Sequence, residues 1–226
     1  MRNLVVVSHP DDEILGFGAT GRKLVQAGEK VQVAILCGSV DVRTQRPTNE
    51  QLNADIQAAN SLLGFLPPVL GAFPNIRMNA VPHIDLVRFI EEQIAIFKPL
   101  RIFTHHAGDL NDDHLQVSRA CLAASRFFQR NSSIAAPDSV HAMEIPSSTD
   151  WAFPSGPAQF APNLYVEIGH EGVEAKIAAL GCYRNVIRNY PHPRSREALL
   201  GLATCRGAQA GMQYAEAFQT LFQREL

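Results

Sequence analysis

Six consecutive residues, Ser8-His9-Pro10-Asp11-Asp12-Glu13, put one imidazole and three carboxylates at the end of an apolar run. Like charges this close repel one another unless a cation neutralises them or the side chains diverge. An imidazole nitrogen and a carboxylate oxygen are both good zinc ligands at roughly 2.0–2.2 Å, and His9 and Asp12 stand three positions apart. Acids also favour a first helical turn, so a plain polar helix start explains the acidic residues taken alone. A second cluster weakens that explanation. Thr104-His105-His106-Ala107-Gly108-Asp109-Leu110-Asn111-Asp112-Asp113-His114 also follows an apolar, strand-like run. If the two runs are neighbouring parallel strands, His114 faces His9 and Asp12. Two His and one carboxylate leave a fourth position open to water, as in catalytic rather than structural zinc. Asp11, beside Asp12 but pointing elsewhere, is then placed to take a proton from metal-activated water. Iron(II) accepts the same two-His, one-carboxylate set.

The elements that must position these clusters are legible from apolar periodicity. Strands are expected at 3–8, 31–37, a short piece near 69–73, 101–105, 139–145 and 164–169. Helices are expected at 14–28, 48–64, 83–97, from Asp112 or Asp113 to about Arg130, at 171–188 and at 195–223. Thr48 opens the second helix, Gly64 closes it and Pro99 stops the third. Buried β-branched strands alternating with helices imply an α/β fold: a Rossmann-like, three-layer arrangement with a mainly parallel sheet and helices on both faces. In such a sheet both clusters fall on the carboxyl edge, where ligands bind. Residues 1–226 read as one domain, with loops and helices from about 146 onward covering that edge.

The motif HPDDE after the first strand, with a later Asp-His pair in a D-x-N-x-DH setting, resembles the PIG-L family of zinc-dependent N-deacetylases. The likeness extends to Ser147-Ser148-Thr149-Asp150-Trp151, Pro162-Asn163-Leu164-Tyr165-Val166 and Pro191-His192-Pro193-Arg194-Ser195. It implies His9, Asp12 and His114 as metal ligands, Asp11 as general base, and an N-acetylated amino sugar or sugar conjugate as substrate. Many members carry a His three residues before the last ligand to polarise the acetyl carbonyl; Asn111 stands there in this chain. His192, in a Pro-flanked segment, is the candidate to fill that role as a protonated ring that steadies the oxyanion. Arg43, His106, Asp109, Asn111 and Arg194 are candidate substrate contacts, although Arg194 could equally bridge to the acidic loop. His105 and His106 end a strand and could orient a ligand or line the pocket, whereas His83, His141 and His170 read as structural. The loops at 39–50, 146–162 and 189–196 would set specificity, but they carry no readable code.

Two competing readings are weighed against this one. Gly16-Phe17-Gly18-Ala19-Thr20-Gly21 fits GxGxxG, and Asp41 follows the second strand, as a dinucleotide-dependent oxidoreductase would require. That fingerprint begins immediately after its strand, however, and here HPDDEIL intervenes. A non-catalytic metal- or sugar-binding protein would keep the ligands but have no use for Asp11. Composition bounds the rest. Lys+Arg 20 against Asp+Glu 22 give a net charge of -2, which offers no basic field for nucleic acid or anionic lipid. No apolar stretch approaches the roughly 20 residues of a membrane span. Cys37, Cys121, Cys182 and Cys205 lie far apart with no CxxC. A reduced, cytoplasmic enzyme without a membrane anchor is expected, with association of like subunits left open.

Overall fold

The computed structural model describes residues 1–39, 47–153 and 159–225. In chain order these form β1 (Arg2–Val7), α1 (Asp12–Gln26), β2 (Lys30–Ile35), α2 (Asn49–Leu63), β3 (Val69–Leu70), α3 (His83–Phe97), β4 (Arg101–His105), α4 (Asp112–Ala124), β5 (Ser139–Met143), β6 (Leu164–Glu167), α5 (Gly169–Cys182), α6 (Arg196–Gln209) and β7 (Ala215–Gln223). The strands make one sheet in the order β3-β2-β1-β4-β5-β7-β6. Strands β1 to β5 are parallel, and β7 runs antiparallel to both of its neighbours. The expected three-layer α/β fold is the one observed.

Period-two alternation along β1 builds both helical layers. Leu4 and Val6 join Leu86 and Ile90 of α3 and Val117 and Ala120 of α4 in one core. Val5 and Val7 turn the other way, onto Ile14 and Phe17 of α1, Ile56 of α2 and Leu180 of α5. Burial on both faces explains why these strands read as continuous apolar runs. The chain winds outward from β1 through β2 to β3, then returns to β4 on the opposite side of β1. Strands β1 and β4 therefore flank the switch point, paired Val5 to Phe103, and the loops after them meet at its carboxyl edge.

Local signals set most boundaries where expected. Thr48 and Gln51 form a reciprocal capping box on α2, and Gly64 closes that helix at φ 79°. The chain departs from expectation after α6. The helix expected over 195–223 ends at Gln209, Gly211 turns the backbone at φ 70°, and 215–223 is the strand β7, seated between β5 and β6. The helix expected to reach Arg130 stops at Ala124, followed by a 3-10 turn at Phe127–Gln129.

The GxGxxG glycines lie inside α1, not at the strand end, and they serve packing. A Cβ on Gly16 would meet Ile145 Cδ1 at 2.8 Å and Met143 Cβ at 3.0 Å; one on Gly21 would meet Phe65 Cζ at 2.3 Å. Gly21→Ala should therefore lose stability by about 1–2 kcal/mol, overpacking outweighing the gain in helix propensity. Urea unfolding would check this, and a midpoint equal to or above that of the parent would contradict it.

Candidate metal centre

The turn after β1 is held open by its own acids. Asp11 adopts φ 97°, in the left-handed region that a non-glycine residue enters at a cost. Its N–H donates to Glu13 Oε2 at 3.0 Å. Glu13 Oε1 in turn accepts from Asn60 Nδ2 at 3.0 Å and from the Tyr183 hydroxyl. Burial, opposed by the Tyr183 bond and reinforced by Asp11 and Asp12, pushes the Glu13 carboxyl up to about 7. Glu13 is thus the inward brace of the turn, while Asp12 Oδ2 accepts the His9 N–H at 3.0 Å.

The turn after β4 brings the second cluster across the switch point. Asn111 caps α4, its Oδ1 accepting the Asp113 N–H at 3.0 Å. His114 then sits in the first turn of α4, facing the loop after β1. Its Nε2 lies 3.2 Å from Asp12 Oδ2, and His9 Nδ1 lies 3.4 Å from the same oxygen. The His9 and His114 ring centroids are 5.5 Å apart. One ligand atom from each of His9, Asp12 and His114 falls within 4.8 Å of the other two. All three residues are buried. With bonds of about 2.1 Å, two tetrahedral zinc ligands stand about 3.4 Å apart. The measured edges at Asp12 match that spacing, so this donor set fits a divalent cation.

Each imidazole is steered from behind by a carboxylate. His9 Nε2 lies 2.9 Å from Asp113 Oδ2, whose carboxylate is itself fixed by the N–H groups of Ile76 at 2.6 Å and Met78 at 2.9 Å. His114 Nδ1 lies 3.1 Å from Asp109 Oδ2, an ion-pair contact bent away from a straight hydrogen bond. Such carboxylate–imidazole pairs leave the remaining ring nitrogen to face the metal. Burial alone would raise Asp12 and lower His114. Their mutual attraction overcomes it, holding Asp12 well below the usual carboxylate range and lifting His114 to about 10, with Asp109 adding to the lift.

His105 stacks on His114, centroids 3.8 Å apart. Its Nε2 accepts the Ser8 N–H at 2.8 Å, and burial with the adjacent His114 pushes it down to about 3. A neutral His105 cannot form an ion pair with Asp12, so its 3.6 Å approach to that residue is packing. His106 is buried, its Nδ1 accepts the Gly108 N–H, and its ring meets Phe160 edge-on at 5.5 Å.

The remaining sequence candidates distribute unevenly. Arg194 Nη1 donates to Asp11 Oδ2 at 3.1 Å, and its Nε donates to Ser147 Oγ at 2.7 Å. The bridge to the acidic loop is therefore formed. His192 is exposed, and its Nδ1 accepts the Arg194 N–H at 3.0 Å. Partial burial, then Arg194 and Arg188, lower its pKa. That lowering works against the protonated form expected from sequence. Asp109 accepts from Ser148, Thr149 and the Asn111 N–H in addition to meeting His114. Arg43 and Asp41 lie outside the described residues. Asp113 and Glu13 were given no site role from sequence. The Asp-His dipeptide was the available signal for Asp113, and Glu13 carried none beyond its place in the acidic run.

His141, read as structural, is held on β5 by Ser139 Oγ at 2.7 Å and Thr220 Oγ1 at 3.1 Å, and burial pushes it down to about 4. The native state thus binds this proton less readily than the unfolded chain, whose His titrates near 6.5. Its contribution is complete above about 6.5 and lost as pH falls toward 4, by about 3 kcal/mol at most. Urea midpoints followed from pH 7 to 4 should fall more steeply for the parent than for His141→Gln; parallel curves would contradict this.

Residues 4–125 match the family model described as PIG-L, GlcNAc-PI de-N-acetylase. The chain belongs to the PIG-L family. A relative, the uncharacterized deacetylase YaiS of Escherichia coli K12, is 24% identical over an alignment of 188 residues that covers 78% of this chain and 87% of that protein. Two solved structures share the PIG-L fold seen here. N,N'-diacetylchitobiose deacetylase from Pyrococcus horikoshii is 17% identical, with a TM-score of 0.79 over 97% of this chain and 83% of its own. GalB, the 4-carboxy-2-hydroxymuconate hydratase of Pseudomonas putida KT2440, is 20% identical, with a TM-score of 0.80 over 100% of this chain and 98% of its own. At these identities the structural likeness speaks to fold alone. Among the described residues no helix is long and apolar enough to cross a membrane.

Proposed function

We propose that this PIG-L protein is a metal-dependent N-deacetylase that hydrolyses the acetamide of an N-acetylated amino sugar or sugar conjugate, releasing acetate and a free amine. The observation that carries the reading is the convergence of His9, Asp12 and His114, at zinc-like spacing, beside a carboxylate that is not one of them. A divalent cation held there, zinc or iron(II), supplies a Lewis acid that acidifies water and polarises the acetyl carbonyl. The chain's own groups do the rest. Asp11 takes the proton from attacking water and returns it to the departing amine nitrogen. Arg194 fixes the Asp11 carboxylate by one guanidinium nitrogen and is steadied on its other side by Ser147.

Asn111 spends its Oδ1 on the α4 cap, which leaves its amide N–H groups as carbonyl donors. With Nδ1 accepting from Arg194, His192 would carry its ring proton on Nε2 and offer one further donor. Asp109 and Asp113 orient the ligands, an assignment that moves Asp109 from substrate contact to support of His114. The dinucleotide alternative loses its footing because its glycines are packed inside α1. The test is elemental analysis of the purified protein combined with an acetate-release screen across acetylated amino sugars. Bound metal with acetate release from at least one of them is expected; metal without release from any would favour a binding protein.

A further inference from the structure

Three consecutive hydroxyl residues after β5, Ser147-Ser148-Thr149, reach both halves of the centre. The turn that carries them is tight: the N–H groups of Ser148 and Thr149 both donate to Ile145 O, at 3.1 and 2.9 Å, and Ser147 adopts φ 73°. Ser147 Oγ accepts from Arg194, which holds Asp11. The Ser148 hydroxyl donates to Asp109 Oδ1, and the Thr149 hydroxyl donates to Asp109 Oδ2 at 2.8 Å. Asp109 in turn meets His114 Nδ1. Ser148 is buried, so its bond to the carboxylate is shielded from competing water. A buried carboxylate that accepts from two hydroxyls and one backbone N–H has little freedom to rotate, and the imidazole it faces inherits that constraint.

We infer that Ser148, with Thr149, is a positioning residue for the metal centre: by fixing Asp109 it sets the aim of His114 and hence the affinity for the cation. Ser147 serves the other half of the site through Arg194 and takes no part in metal affinity. The inference rests on the reading of His114 as a ligand but not on the identity of the substrate.

The test is zinc affinity, measured by competition with a chromophoric chelator on the full chain. Ser148→Ala should weaken zinc binding by about tenfold, within the range that outer-sphere partners of metal ligands command. Ser147→Ala, one residue away in the same turn, should bind zinc as the parent does. Thr149 Oγ1 also accepts the Ile145 N–H at 2.7 Å, so Thr149→Ser, which keeps the hydroxyl, should retain parental affinity where Thr149→Val does not. Parental affinity in Ser148→Ala would overturn the inference, as would equal losses in Ser147→Ala and Ser148→Ala, which would mark general damage to the turn. If Ser148→Ala does not fold, Thr149→Val against Thr149→Ser decides by the same criterion. A parent protein that binds no zinc would instead sink the metal-centre reading itself.

Discussion

Asp11→Ala should retain about one equivalent of metal and lose acetate release by about a thousandfold, the middle to upper range of what a positioned proton acceptor contributes. The separation follows from the turn. Asp12 is the carboxylate at the His9–His114 junction, whereas Asp11 faces Arg194. Asp11→Asn is the sharper variant, because it preserves shape and can still accept the Arg194 hydrogen bond through its carbonyl oxygen. Only the capacity to take a proton is gone. Metal content by elemental analysis and turnover on the best acetylated sugar from the screen give the two readouts. Near-parental turnover in Asp11→Asn would remove this residue from the chemistry.

His114→Ala should fail differently, losing metal and fold stability together. Asp12 and Asp109 are both buried and both face the imidazole. Its removal leaves two carboxylates without their nearest cationic partner, and breaking a buried pair in this way costs about 3–5 kcal/mol. Metal content should fall below about a tenth of parental, since two donors remain where the site needs three. Denaturant unfolding with and without added zinc measures both effects. If His114→Ala still held a full equivalent of metal, the ligand set would have to be redrawn.

The sheet and the centre were legible in the chain for one shared reason. Strands buried on both faces announce themselves as short β-branched runs, and parallel packing then places every following loop on one edge. His9 and His114 could therefore be brought together from sequence although the contact made across the switch point, His9 to Asp113, spans 104 positions. Residues 215–223 were not legible. AEAFQTLFQ lacks a strong β-branched signature, and no proline precedes it; Gly211 was the signal that the helix could not continue. The support roles were hidden for another reason. Asp109 meets Ser148 and Thr149 from 39 and 40 positions away, and a hydroxyl–carboxylate contact across two loops leaves no periodic trace in either.

The antiparallel strand β7 also bears on how the molecule is made. It is an interior strand, hydrogen-bonded on one side to β5 and on the other to β6, yet it is synthesised after both. During translation β5 therefore emerges with an unpaired edge, and β6 has nothing to join it to the sheet until the later segment arrives. Unpaired edges of this kind recruit other chains. The nascent protein should consequently be most prone to aggregation in the interval between release of β6 and insertion of β7.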